Sequence, residues 1–241
     1  MDKYQQQYLD FIEKAAHDLV SPLRKLEVFI EKLLLSYDLP DDGNKEEYKE
    51  RVNAALKQMK SLVEGFRELA LAYEDNMQLS DIDTGNLISK VIADSGLTAK
   101  YPKAQIEIGS LPVIKGDPEQ LNVLFRKLLE NSFTFKSPYK ELKISVSSEE
   151  LSSGERERLK LEPGVYHKIR FADNGIGFDD ADRKKIFEPL VRLHGKSQYP
   201  GNGLGLALVT RIVINHGGTV FAEGSRSEGA KIFVVLPENQ E

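Results

Sequence analysis

Residues 165–178 read VYHKIRFADNGIGF, and residues 201–215 read GNGLGLALVTRIVIN. The first has a strand pattern from Val165 to Ala172 that runs directly into Asp173-Asn174-Gly175-Ile176-Gly177-Phe178. The second sets Gly201, Gly203 and Gly205 at alternate positions and passes straight into an apolar helix pattern over Leu204 to Asn215. Glycine at alternate positions lets backbone N–H groups approach phosphate oxygens, and a helix N-terminus adds its dipole. Ordinary turns also use glycine, so neither segment is decisive alone. The dinucleotide spacing GxGxxG is absent from the second segment, and GxxxxGK[ST] occurs nowhere in the chain. A different phosphate cradle is required.

Outward from these segments the chain alternates strands and helices. Asp83-Thr84-Gly85 opens a helix through Leu87, Ile88, Val91 and Ile92, and Asp117-Pro118-Glu119 is a cap followed by proline in the first turn of a helix to about Phe135. Strands are expected at Gln105–Ile108, Pro112–Ile114, Leu142–Val146, Val165–Ala172, Thr219–Ala222 and Lys231–Leu236, with Ser147–Glu162 as a polar loop. Strands interspersed with helices imply an α/β sandwich with a mixed sheet, one face covered by helices.

The first 75 residues differ from the rest. Leu9, Ile12, Ala16, Leu19, Leu23, Leu26, Ile30 and Leu33 alternate three and four apart, and so do Tyr48, Val52, Ala55, Met59, Leu62, Phe66, Leu69 and Tyr73. Such spacing places one apolar seam along each of two helices. Asp38 to Asn44 between them is dense in turn residues, so the helices fold back as an antiparallel hairpin. Phe11, Val20, Phe29, Leu34, Val63 and Ala70 flank the seam, so the hairpin needs a second surface. A dimeric four-helix bundle supplies it. The fold class is therefore α+β.

Composition narrows the function. The 241 residues contain no cysteine, which excludes disulfides, thiolate metal sites and cysteine nucleophiles, and is compatible with a reducing, cytoplasmic setting. Lys+Arg number 33 against 38 Asp+Glu, a net charge of −5 that argues against nucleic acid as the main partner. No apolar run approaches the ~18 residues needed to cross a bilayer, and MDKYQQQYLD at the start is not signal-like, so this segment is expected to be soluble without membrane contact. Opening abruptly inside a helix pattern, the chain is expected to be a fragment.

Taken in order, AAHDLVSPLRKL (15–26), LFRKLLENSFTF (124–135), DNGIGF (173–178), IFEPLVRLHGK (186–196) and GNGLGLALV (201–209) resemble the H, N, first glycine, F and second glycine boxes of sensor histidine kinases. The resemblance covers nearly the whole chain. It implies a dimerisation and histidine-phosphotransfer hairpin over about residues 1–77, then an ATP-binding domain over 78–241 of the type shared with gyrase, Hsp90 and MutL, with a hinge near residues 74–82.

By this resemblance His17 is the phosphoacceptor. Asp18 would accept a hydrogen bond from its ring, set the tautomer and take up the proton during attack. Pro22 removes the amide that would bond the Asp18 carbonyl. Ser21 stands where related kinases often carry Thr or Asn to position a water for dephosphorylating the partner. Asn131 is the implied Mg2+ ligand. Lys127 replaces a polar ligand, commonly Asn, and Thr134 replaces a phosphate-contacting Lys. Positions 127, 131 and 134 share one helical face. Either the positive charge has moved along that face and still meets the triphosphate, or Lys127 repels the metal and weakens catalysis.

Phe135 matches an aromatic near adenine, and Asp173 the carboxylate that accepts the adenine amino proton. Gly175, Gly177, Gly201, Gly203, Gly205 and Leu206 complete the implied nucleotide site. Residues 179–200 would form a lid anchored by Phe187 and Leu190, with Arg192, His194 and Lys196 as candidates to meet phosphates. His167 and His216 are read as structural. The implied function is ATP- and Mg2+-dependent phosphorylation of His17, then transfer to an aspartate on a response-regulator receiver domain. Two alternatives remain: a catalytically weakened dimeric scaffold that binds ATP, and an ATPase, which Lys127 disfavours by replacing the carboxylate that activates water.

Overall fold

The two seams of three-and-four spacing fold as α1 (Lys3–Leu35) and α2 (Lys45–Leu71). The structure is a computed structural model that describes residues 3–35, 44–73, 77–193, 199 and 201–239, with side chains from residue 15 onward. The chain divides into two units, Met1–Glu68 and Leu69–Glu241. In the first, the Phe29 and Tyr48 rings stack with centroids 6.4 Å apart, and the Lys32 ammonium lies 5.9 Å from the centre of each. These contacts tie α1 to α2. The expected connecting turn falls, except for Asn44, outside the described residues.

The seam is less uniform than its spacing suggests. Leu26, Ala55 and Leu62 are buried, whereas Leu23 and Ile30 are 45% and 44% exposed. Val20, Leu34, Leu56 and Val63 are exposed too. One antiparallel neighbour covers only part of a seam wide enough for several. Pro22 lies inside α1 and is buried.

The second unit contains β1 (Ser80–Asp83), α3 (Thr84–Asp94), α4 (Leu97–Lys100), β2 (Gln105–Ile108), β3 (Val113–Gly116), α5 (Pro118–Thr134), β4 (Lys143–Glu150), α6 (Ser153–Leu159), β5 (Tyr166–Asp173), α7 (Gly205–Asn215), β6 (Thr219–Ser225) and β7 (Gly229–Pro237). One sheet runs β2-β4-β5-β7-β6, with β2 and β4 parallel and the remaining pairs antiparallel, so it is mixed as expected. β1 and β3 form a separate antiparallel pair. Val146, Phe171 and Ile232 lie opposite one another across the sheet and are buried. Phe125 of α5 stacks on Phe171 with centroids 5.8 Å apart, so the helices cover this face. α5 and α7 bury Leu121, Leu124, Leu128, Leu208, Val209 and Ile212 there.

Ser147–Glu162 is not the loop expected from its polarity. β4 continues to Glu150, and α6 follows with a capping box in which Ser152 and Glu155 satisfy each other's backbone N–H groups. Lys168 bonds Glu155 at 2.7 Å and Glu149 at 2.8 Å, and the Glu155 carboxyl is held at about 2, first by its hydrogen bond from Lys168. Leu159 and Leu161 then pack against Leu151, Tyr166 and Val235. The polar stretch folds because its ends are apolar.

Asp117 ties several elements together. Its Oδ1 accepts the N–H groups of Glu119 at 3.0 Å and Gln120 at 2.9 Å, capping α5, and its Oδ2 accepts that of Gln78 at 2.8 Å. Of the expected hinge, residues 74–76 lie outside the described residues, whereas Gln78 and β1 are bonded into the second unit. The Ala72 carbonyl accepts from Asn215 Nδ2 at 2.7 Å and Arg211 Nε at 3.2 Å, and Arg211 stacks 4.1 Å from the Tyr73 ring centre. Residues 69–73 thus pack with α7.

His216 is structural, as read from the sequence. It is fully buried, with Nδ1 2.8 Å from the Ile212 carbonyl and Nε2 accepting the Asp117 N–H at 3.0 Å. That pair of contacts requires the neutral ring protonated at Nδ1, and burial lowers its pKa below 6.5. The unfolded chain therefore binds this proton more readily, so stability is full above pH 6.5 and falls as pH drops toward the lowered native value. The urea midpoint is expected to fall between pH 7.5 and pH 5.5, and His216→Gln to flatten that slope. An unchanged slope in the variant would remove His216 as the cause.

Candidate functional site

The strand–glycine turn over Asp173–Phe178 gathers a small cluster of polar groups. Asp173 ends β5 with its carboxylate turned back on the turn: Oδ1 accepts the N–H of Gly175 at 2.9 Å and that of Ala230 at 3.3 Å. Oδ2 accepts the Ser132 hydroxyl of α5 at 3.0 Å. Burial raises the Asp173 pKa above its ordinary value, against the three hydrogen bonds that lower it. A carboxylate retained at such a cost, with lone pairs left on Oδ2, suits a ligand that brings a donor.

Glycine is required here by contact. A Cβ on Gly175 would collide with the Phe135 carbonyl, and one on Gly177, at φ +66°, would collide with the Ser225 carbonyl. The Phe135 carbonyl also accepts the Ile176 N–H at 2.9 Å. Phe135, far earlier in the sequence, therefore meets the Asp173–Gly175 turn at one place. Asn174 pins the outer side of the turn through Lys143 N–H at 2.8 Å and the Glu141 carbonyl at 2.9 Å.

Ser132 was not among the sequence candidates. The available signal was a hydroxyl on the buried face of α5, among Leu128, Leu129 and Phe133. Its neighbour Asn131 is half-buried. Lys127 sits one turn earlier, with Nζ 3.8 Å from Glu130 Oε2, so its charge is partly balanced beside Asn131. No group of three or more His, Cys, Asp or Glu capable of holding a metal exists among the described residues. A divalent cation at Asn131 would draw one amide oxygen from the protein and the rest from phosphate and water, which suits Mg2+.

The second glycine segment packs against the F-box residues. Leu190 is buried at φ +62°, and its N–H donates to the Gly203 carbonyl at 2.8 Å. Gly203, at φ +73°, would bring a Cβ to 3.0 Å from the Leu190 backbone, a tight approach in a conformation that favours glycine. Asn202 Oδ1 accepts the Leu204 N–H at 3.0 Å, and no side chain caps α7. Gly201 and Gly205 have nothing within 4 Å of a Cβ, and Leu206 is half-buried in the first turn of α7. Phe187 is half-buried. Arg192 donates to the Tyr199 carbonyl at 2.6 Å. His194 and Lys196 lie outside the described residues.

In the other unit, the His17 side chain is 78% exposed, with Nδ1 3.5 Å from Asp18 Oδ1. His17, Ser21, Arg24 and Val28 recur at helical spacing and, with Val20, Lys25 and Phe29, line a groove of about 420 Å³. A solvated imidazole beside a carboxylate is open to attack an electrophile brought from outside. His167 is instead engaged, with Nε2 3.1 Å from Glu238.

Residues 116–240, just over half of the chain, match the family described as histidine kinase-, DNA gyrase B- and HSP90-like ATPase. Phytochrome-like protein Cph1 of Synechocystis is 27% identical over 226 residues, which are 92% of this chain and 28% of that protein. Signal transduction histidine-protein kinase BaeS of Escherichia coli is 29% identical over 98% of this chain and 48% of its own length. The chain thus spans less than half of either relative. Among solved structures, histidine kinase ThkA in complex with response regulator protein TrrA matches with a TM-score of 0.69 at 17% identity, over 95% of this chain and 61% of that one. Acinetobacter baumannii histidine kinase AdeS matches at 0.62 and 18% identity, over 93% and 98%. These likenesses bear on the fold, and the match over residues 116–240 decides the family: the chain belongs to the histidine kinase-, DNA gyrase B- and HSP90-like ATPases.

Proposed function

We propose that this chain is the catalytic core of a two-component histidine kinase, which phosphorylates its own His17 from ATP and passes the phosphoryl group to an aspartate of a response-regulator receiver domain. The observation that carries the reading is the solvated His17 paired with Asp18 in a chain whose other unit matches an ATPase family and holds the Asp173 carboxylate on Ser132 beside a glycine turn. Residues 1–77 serve as the dimerisation and phosphotransfer hairpin and residues 78–241 as the ATP-binding domain. The exposed apolar positions of α1 and α2 support a homodimer. Among the described residues no helix is long and apolar enough to cross a membrane. A cytoplasmic setting is the reading adopted.

Asp173 receives the adenine amino group. The glycine segments and Leu206 approach the nucleotide, Asn131 holds Mg2+, and Lys127 and Arg192 add positive charge toward the phosphates, as does Lys196. Bound Mg2+ neutralises phosphate charge. Asp18 holds the His17 ring with its proton on Nδ1, leaving the Nε2 lone pair for in-line attack on the γ-phosphorus. The Nε2–P bond forms as the bond to the bridging β–γ oxygen breaks, ADP leaves, and the Nδ1 proton passes to Asp18 or water. Catalysis rests on positioning and charge neutralisation. Ser21, one turn from His17, is the residue placed to orient water in the reverse, dephosphorylating step.

Incubation with γ-labelled ATP and Mg2+ tests this. Acid-labile label on the peptide containing His17, chased onto an added receiver domain, is the expected result. Nucleotide binding without label would establish the weakened-scaffold alternative. Steady phosphate release without phosphohistidine would establish a simple ATPase.

A further inference from the structure

We propose that Tyr199 is a base-contacting residue of the nucleotide site, forming with Phe135 an aromatic wall on which the adenine ring stacks. This rests on the ATP reading above and extends it to how the base is held. A purine needs a partner for its polar edge and partners for its flat faces, and Asp173 supplies only the first.

The Phe135 and Tyr199 rings lie with centroids 5.4 Å apart and planes tilted by 40°, within the range of attractive aromatic pairs. Phe135 is fixed against the Asp173 turn, because its carbonyl accepts the Ile176 N–H at 2.9 Å and abuts Gly175. Tyr199 therefore packs on the ring of the residue whose backbone adjoins the Asp173 turn. Its backbone is held as well. Arg192 donates to its carbonyl at 2.6 Å, and two residues earlier Leu190 is bonded to Gly203 at 2.8 Å. A tyrosine anchored in this way presents its face at little further entropic cost, and stacking tolerates any planar base. The chain has no tryptophan to take this part.

Calorimetric titration of the full chain with ATP and, separately, with inorganic tripolyphosphate separates this role from simple packing. Tyr199→Ala is expected to weaken ATP binding about tenfold, ~1.4 kcal/mol, while tripolyphosphate affinity stays within about twofold. Tyr199→Phe, which keeps the ring and loses the hydroxyl, is expected to restore ATP affinity. An unchanged ATP affinity in Tyr199→Ala would overturn the inference and leave the ATP reading intact, as would equal losses for ATP and tripolyphosphate. No ATP binding by the parent chain would overturn both.

Discussion

His17→Gln is expected to reduce incorporation of label from ATP to background, a loss of at least ~1000-fold, because the His17 imidazole is the nucleophile of the proposed mechanism. The ATP dissociation constant should stay within about twofold of the parent, since His17 binds no part of the nucleotide in the proposed mechanism. Stability should hardly change: the ring is 78% exposed, and surface substitutions of this kind cost within about 0.5 kcal/mol. Glutamine keeps a polar, helix-favouring side chain beside Asp18, so the comparison isolates the nucleophile. Label persisting at another residue would show that the phosphoacceptor lies elsewhere. A parallel fall in ATP affinity would show that His17 belongs to the binding site.

Asp173→Asn should produce the opposite pattern, with binding lost first. The Asn oxygen can still accept from the Gly175 and Ala230 N–H groups, which turns its amide N–H toward Ser132 and toward the base. An adenine amino group would then meet a donor in place of an ionised acceptor. Hydrogen bonds to charged groups are worth about 1.5–3 kcal/mol, so ATP affinity should fall by between about tenfold and 150-fold. Stability should move the other way. Burial raises the native Asp173 pKa, so its favourable contribution is complete below the unfolded value of 3.8 and is lost as pH rises through the native one. At pH 7 the ionised group therefore weighs against the empty fold, and the amide relieves it. The urea midpoint of Asp173→Asn at pH 7 is expected to equal or exceed that of the parent. A lower midpoint accompanying the lost affinity would mean that unfolding, and not recognition, explains the loss.

Several features of the fold were legible because they depend on near neighbours. The Asp117-Pro118 start of α5 caps its own helix, and Asp83 caps α3 through the Asn86 N–H at 2.9 Å. The strand-to-turn pattern around Asp173 formed where its glycines placed it. α6 was legible too: Ser152 and Glu155 stand at capping-box spacing, a signal outweighed by the polarity of the stretch. β1 offered less, since Ser80-Asp81-Ile82-Asp83 has one apolar residue and becomes a strand only through pairing with β3. The α1 seam was read correctly as periodic, yet periodicity cannot tell which half of it a single neighbour will cover.

Spacing along the chain and the preferences of individual residues were enough to set the helical stalk, the mixed α/β half and the glycine turns, because each is stabilised within one or two helical turns or along one strand. Packing alone brought Ser132 to Asp173, 41 residues away, Arg211 to Ala72, 139 residues away, and Tyr199 to Phe135. Such contacts form when the sheet and its helices close over a shared core. Their partners are chosen by three-dimensional proximity, on which local periodicity is silent.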